Sequence, residues 1–149
     1  MCATIESSHT AGTAPNGLTA AQRKHKRCFA CGAENPSGLH LRFTSVGNDE
    51  IECNFVASRK LEGYAGVLQG GIVATLLDSA MTNLLLRRNI TARTAQMDIR
   101  LRHPVPVGKN ISVRGKLEMS RGRLHVLSAA ILRGLKLLAE ARAKFMASG

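Results

Sequence analysis

From Arg93 onward the chain divides into four stretches in which apolar and polar residues alternate closely enough to read as strands: Arg93 to His103, Asn110 to Met119, Leu124 to Leu132 and Leu135 to Met146. Pro104-Val105-Pro106-Val107-Gly108, Ser120-Arg121-Gly122 and Arg133-Gly134 supply the turns between them. Leu135 to Ala147 is rich in helix formers. The two-residue turn at Gly134 nevertheless makes it the hairpin partner of the strand before it, so strand is expected. Two more runs precede these. In Gly38 to Val46, Leu39, Leu41 and Phe43 alternate with polar residues, and Glu50 to Val56 resumes after a Gly47-Asn48-Asp49 turn, which reads as a hairpin.

Between the two groups the rhythm changes. From Gly70-Gly71 to about Arg88, the residues Ile72, Val73, Leu76, Leu77, Ala80, Met81, Leu84 and Leu85 put apolar surface nearly all round a helix. Arg87 and Arg88 complement its negative end. Roughly 18 residues at 1.5 Å each give about 27 Å, enough to cross a sheet. Two strands, one long helix and four antiparallel strands make an α+β fold in which one helix packs into a sheet.

The length of 149 residues suits one domain, expected over residues 23–149. Residues 1–22 are small and polar and read as a disordered tail. They contain neither a basic start followed by an apolar run nor a stretch near membrane-spanning length. Together with four cysteines at irregular spacing, this sets the expectation of a cytoplasmic protein with no membrane partner. Lys plus Arg number 21 against 10 acids, a formal charge of +11, which favours polyanions or small molecules carrying several phosphates. Nucleic acid fits less well, because the basic residues are scattered and the chain has one Tyr and no Trp to stack on bases.

Asp78 changes the picture most. It is the sole acid between Gly63 and Met97, and it sits inside the apolar helix eight residues after Gly70. Burying a carboxylate costs several kcal/mol unless it is paired, so it has either a structural partner, such as Thr75 or Thr82, or a chemical task. Gly71, Thr75, Asp78 and Thr82 fall on one helical stripe, with Ser79 beside it. Cys28-x-x-Cys31, with His25 just before and Cys53 or His40 as further candidates, invites a zinc reading. Two cysteines make half a structural site, however, and the expectation is that they pack as small apolar residues with no metal bound. His103 and His125 sit in no triad spacing and are expected to be structural.

Several pieces follow one another in a telling order: Cys28-Phe29-Ala30-Cys31-Gly32 running into Asn35-Pro36-Ser37-Gly38-Leu39, then Gly70 to Asp78, then the strand from Ala95, then Ser120-Arg121-Gly122-Arg123. Together they resemble the hotdog-fold acyl-CoA thioesterases of the PaaI type, over roughly Cys28 to Ala147. The resemblance implies a curved antiparallel sheet wrapped around one long central helix. It also implies a homodimer or homotetramer joined edge to edge, with active sites between subunits. The implied reaction hydrolyses an acyl-CoA to free acid and CoA, with no cofactor beyond the CoA of the substrate. Gly70 N–H would be the oxyanion donor, with Gly71 and Gln69 beside it. Asp78 would be nucleophile or general base, facing the Gly70 of the other chain, and Thr94 would orient the water or the carboxylate. Arg121 and Arg123, with Arg100 and Arg102, are the candidates for the CoA phosphates, each also readable as a solvated surface charge. Where the family usually has His before Gly-Gly, this chain has Gln69, whose amide can donate to a carbonyl oxygen but cannot titrate near neutrality. Two rivals stand beside this reading: a non-catalytic acyl-CoA-binding protein of the same fold, and a basic nucleic-acid-binding protein with a CxxC zinc site.

Overall fold

A reciprocal capping box lies near the start of the described residues. The Gln22 N–H donates to Thr19 Oγ1 at 3.1 Å and the Thr19 N–H to Gln22 Oε1 at 2.7 Å, which nucleates a one-turn helix, α1 (Ala20–Arg23). Thr19 Oγ1 also donates to the Leu86 carbonyl (2.6 Å), and the Ala21 N–H to Asn89 Oδ1 (3.1 Å), fastening α1 to the end of the long helix. The computed structural model describes residues 17–148. Of the tail expected over residues 1–22, Thr19 to Gln22 belong to α1 and its cap, and residues 1–16 lie outside the described residues.

Apart from a 3-10 turn at Arg59–Leu61, the remaining elements are β1 (Thr44–Ser45), β2 (Glu50–Val56), α2 (Gly70–Arg87), β3 (Ala92–Leu101), β4 (Asn110–Arg121), β5 (Leu124–Arg133) and β6 (Lys136–Ala147). All six strands form one antiparallel sheet in the order β1-β2-β4-β5-β6-β3. The strand expected over Gly38 to Val46 shrinks to Thr44–Ser45. Its inward alternation survives, with Leu39, Leu41 and Phe43 all buried. Its backbone instead bonds the cysteine segment, Leu39 N–H to the Phe29 carbonyl (2.8 Å) and Leu41 N–H to the Ala30 carbonyl (2.9 Å). The segment expected to be strand from Leu135 is strand, β6.

The long helix starts where Gln69 caps it and ends where Asn89 turns left-handed (φ 58°), letting the Ile90 N–H reach the Leu85 carbonyl at 2.9 Å. Leu76, Leu77, Ala80 and Met81 are fully buried against Phe55, Val113, Leu127, Ile131 and Phe145 on the inner face of the sheet. At Gly115 on β4 an added Cβ would lie 2.9 Å from the Ala80 carbonyl oxygen, so the helix backbone rests directly on the strand. Among the described residues, no helix is long and apolar enough to cross a membrane.

Two features of β3 position the site. It is an edge strand, paired on one side with β6. It also runs opposite to α2, so its start faces the middle of the helix and its end faces the helix start. Thr94 touches Asp78, whereas Leu101 Cδ1 is 3.9 Å from where a Cβ on Gly70 would stand.

Candidate active site

Asp78 is partly buried, on the side of α2 turned from the core toward the start of β3. Thr94 lies opposite Phe145, which is opposite His125, which is opposite Ser120. Residues directly opposite share a face, so the whole row, like buried Phe145, is on the inner side of the sheet. A register irregularity between Thr94 and Gln96 breaks the alternation just after it. Thr94 Oγ1 donates to Asp78 Oδ1 at 2.6 Å, the length of a charge-assisted bond. The helix's own hydroxyls do not bond the acid, since Thr75 donates back to the Gly71 carbonyl (3.0 Å).

Asp78 opens into a pocket of about 170 Å³ that it lines with Thr75, Ser79 and Thr82 from the polar stripe. The opposite wall is the segment carrying His25, Cys28, Phe29, Ala30 and Cys31. Asn83 also lines the pocket, its amide donating to the Ser79 carbonyl at 2.8 Å. A hydrogen bond with the Cys28 sulfur, and more weakly the nearby charge of Asp78, raise the His25 imidazole above its usual pKa, against the opposing effect of burial. Bonds from Cys31 and His25 pull the Cys28 thiol far down, and its neighbour Cys31 is pushed up, first by the Cys28 sulfur and then by burial.

The other half of the predicted site is at the helix start. Gly70 and Gly71 are exposed, and their N–H groups come first in α2, where no intrahelical acceptor exists. Gln69 Oε1 accepts from the Ile72 N–H at 3.0 Å, folding the side chain over Gly71, where a Cβ would meet that oxygen at 2.8 Å. Gln69 is thus the helix cap, and its NH2 donates to no group among the described residues. By helical rise Asp78 is about 12 Å beyond Gly70, so one chain does not bring the acid and these amides to a single reacting atom.

The four arginines divide the same way. Arg121 and Arg123 flank the β4–β5 turn, and Arg123 Nε donates to the Ala147 carbonyl (3.0 Å) at the sheet end that holds Thr94. Arg100 and Arg102 lie six and eight residues beyond Thr94, nearer Gly70, and Arg102 pairs with Glu140 at 2.7 Å. A larger concavity of about 660 Å³ includes Arg100 with Asp98, Arg114, Glu140 and Arg142 on the outer face of the sheet. It carries charges of both signs and holds neither Asp78 nor a helix start. His125 is buried and bonded to Ser120 Oγ at 2.8 Å, in keeping with the structural role expected of it. Asn83 was not singled out from sequence, although steps of four from Thr75 through Ser79 lead to it. In sequence His25 stands beside the cysteines, and nothing in its spacing ties it to Asp78.

No protein-family model matches the chain. In sequence it is 27% identical over 104 residues to the bovine acyl-coenzyme A thioesterase THEM4, a match covering 69% of this chain. The matched stretch spans only 43% of the bovine protein's length. Among solved structures, the E. coli PaaI protein of the phenylacetic acid degradation operon superposes with a TM-score of 0.73 at 16% identity, covering 85% of this chain and 92% of that one. Smu.793 from Streptococcus mutans, bound to acetyl CoA, gives a TM-score of 0.67 at 18% identity, with 73% and 89% covered. The similarity read from the sequence is therefore borne out, and the chain has the hotdog fold, a curved six-stranded antiparallel sheet around one long helix, that it shares with thioesterase-superfamily structures.

Proposed function

We propose that this chain is an acyl-CoA thioesterase that works as a homodimer, with each active site built from the acid end of β3 in one copy and the donor end in the other. The observation that carries the reading is the Thr94–Asp78 hydrogen bond, which holds an acid at the mouth of a pocket. Thr94 occupies Oδ1 and leaves Oδ2 for a water proton or for the thioester carbon itself. The oxygen of that thioester gains negative charge as the carbon is attacked, and the Gly70 N–H, at the positive end of α2, is the donor suited to it. Glycine at 70 and 71 keeps the approach to the backbone open.

The edge strand supplies the way to join the halves. An antiparallel pairing of β3 with its own copy, centred on Asp98, sets Thr94 of one chain opposite Leu101 of the other, because the irregularity after Thr94 leaves both three ladder positions from the centre. It thereby brings one Asp78 toward the other chain's Gly70. The same pairing covers an unpaired strand edge ten residues long. It also brings Arg121 and Arg123 of one copy to the same end as Arg102 of the other, where CoA phosphates would be held by charge. The acetyl CoA carried by the Streptococcus mutans structure and the activity named for the bovine relative support an acyl-CoA substrate.

Asp78→Asn tests the proposal. Over a panel of short, long and aromatic acyl-CoAs, turnover by the wild-type protein and a loss of about 10²–10⁴-fold in the variant are expected, with CoA affinity retained. A wild-type protein that binds acyl-CoA and turns none of it over is instead a sensor of the same fold.

A further inference from the structure

The wall facing Asp78 has a construction of its own. Gly32 N–H donates to the Cys28 carbonyl at 2.8 Å, closing a tight turn around Cys28-Phe29-Ala30-Cys31. Only glycine fits after it, because a Cβ on Gly32 would lie 2.4 Å from the Cys28 nitrogen and 2.6 Å from the Lys26 carbonyl oxygen. His25 Nδ1 lies 3.7 Å from the Cys31 sulfur, and one ligand atom from each of His25, Cys28 and Cys31 falls within 4.8 Å of the others. All three residues are partly buried, and all three line the pocket of Asp78.

We propose that His25, Cys28 and Cys31 form a zinc site that fixes this turn as the wall of the pocket opposite Asp78. The donor set of one imidazole nitrogen and two sulfurs is that of a borderline-soft ion. Bonds of roughly 2.1–2.3 Å in a tetrahedron separate the ligand atoms by about 3.5–3.8 Å, so the observed spacing needs only a small contraction. Two thiolates balance the charge of the divalent ion, and the two protons they release pass to solvent. Three protein ligands leave one position, which water from the pocket fills. The segment so anchored includes Phe29 and Ala30, whose carbonyls pair with Leu39 and Leu41, so the ion also ties α1 and the entry to β1 to the site. This inference stands whether or not the protein hydrolyses thioesters.

The full-length chain, purified reduced and stripped with a chelator, is titrated with Zn²⁺ against a chromophoric competitor and, separately, with Co²⁺. One ion per chain is expected, with sulfur-to-cobalt absorption in the near ultraviolet, a rise in melting temperature on adding Zn²⁺, and its reversal by chelator. Cys28→Ser, Cys31→Ser and His25→Gln should each weaken binding by more than the roughly 10–100-fold typical of residues outside the ligand set. A readout on the wild-type chain guards against variants that fail to fold: Zn²⁺ should shield Cys28 and Cys31 from alkylation. Zn²⁺ that neither shields the two thiols nor shifts the melting temperature overturns the proposal. So does a Cys28–Cys31 disulfide in protein kept free of oxidant.

Discussion

The two ends of β3 face the same helix and hold different chemistry. At its start, Thr94 steadies an acid beside a pocket walled by small and polar residues. At its end, Leu101 stands beside exposed glycine amides with a glutamine as cap. The acid end is partly buried and charged; the donor end is exposed and carries only the partial charge of a helix start. Neither end alone can both attack a thioester and accept the charge that develops on its oxygen. The span of α2 keeps the acid and the glycine amides apart within a chain, and in the proposed dimer twofold symmetry is the economical way to reunite them.

The sharpest way to break this comparison is at the donor end. Gly70→Pro removes one N–H at the first helical position, where proline is well tolerated, and the preceding Gln69 (φ −61°, ψ 136°) already has the extended backbone that a following proline requires. A loss of about 10²–10³-fold in kcat is expected in steady-state assays, the usual cost of one oxyanion donor. Unfolding and refolding a mixture of Gly70→Pro and Asp78→Asn chains should then restore up to about a quarter of wild-type activity, because half of the random dimers are hybrids with one intact site of two. A mixture no more active than its parents would show that the two ends do not meet across copies.

A smaller effect sharpens the acid end. Thr94→Ala removes a hydrogen bond to a charged group, for which about 1.5–3 kcal/mol is typical, so kcat should fall roughly tenfold to a hundredfold. Thr94→Ser should recover most of it, and an alanine variant with unchanged kcat would mean that the bond is only structural. The smallest expected effect touches both ends alike. Gly115→Ala pushes a methyl group against the Ala80 carbonyl, and such overpacking costs about 1–3 kcal/mol in a denaturant titration.

Much of this architecture was legible because local signals agreed with one another. Gly70-Gly71 after a capping residue, an apolar helix ending in Arg87 and Arg88, and glycine turns at Gly122 and Gly134 each have one inexpensive conformation, and the elements follow from them. The run from Leu39 to Phe43 misled in its partner and not in its facing, since alternation reports which side is buried and is silent about what the backbone bonds. The acid itself was legible as a lone charge in an apolar helix, and its Thr94 partner came through family resemblance. The opposite wall was not legible, because His25, Cys28 and Cys31 reach Asp78 only through the long return of residues 32–69. Likewise the separation of the arginines depends on strand direction, which composition does not carry.

Bare backbone meets bare backbone where Gly115 passes under Ala80. The height of the helix above the sheet is therefore set by peptide groups, like a mechanical stop, and not by the bulk of whichever aliphatic chains surround the contact. Asp78 is two residues away and inherits that fixed level. The neighbouring apolar side chains can grow or shrink while the carboxylate keeps its elevation, so that under the proposed function the fit to an acyl tail and the alignment of Asp78 are free to drift independently.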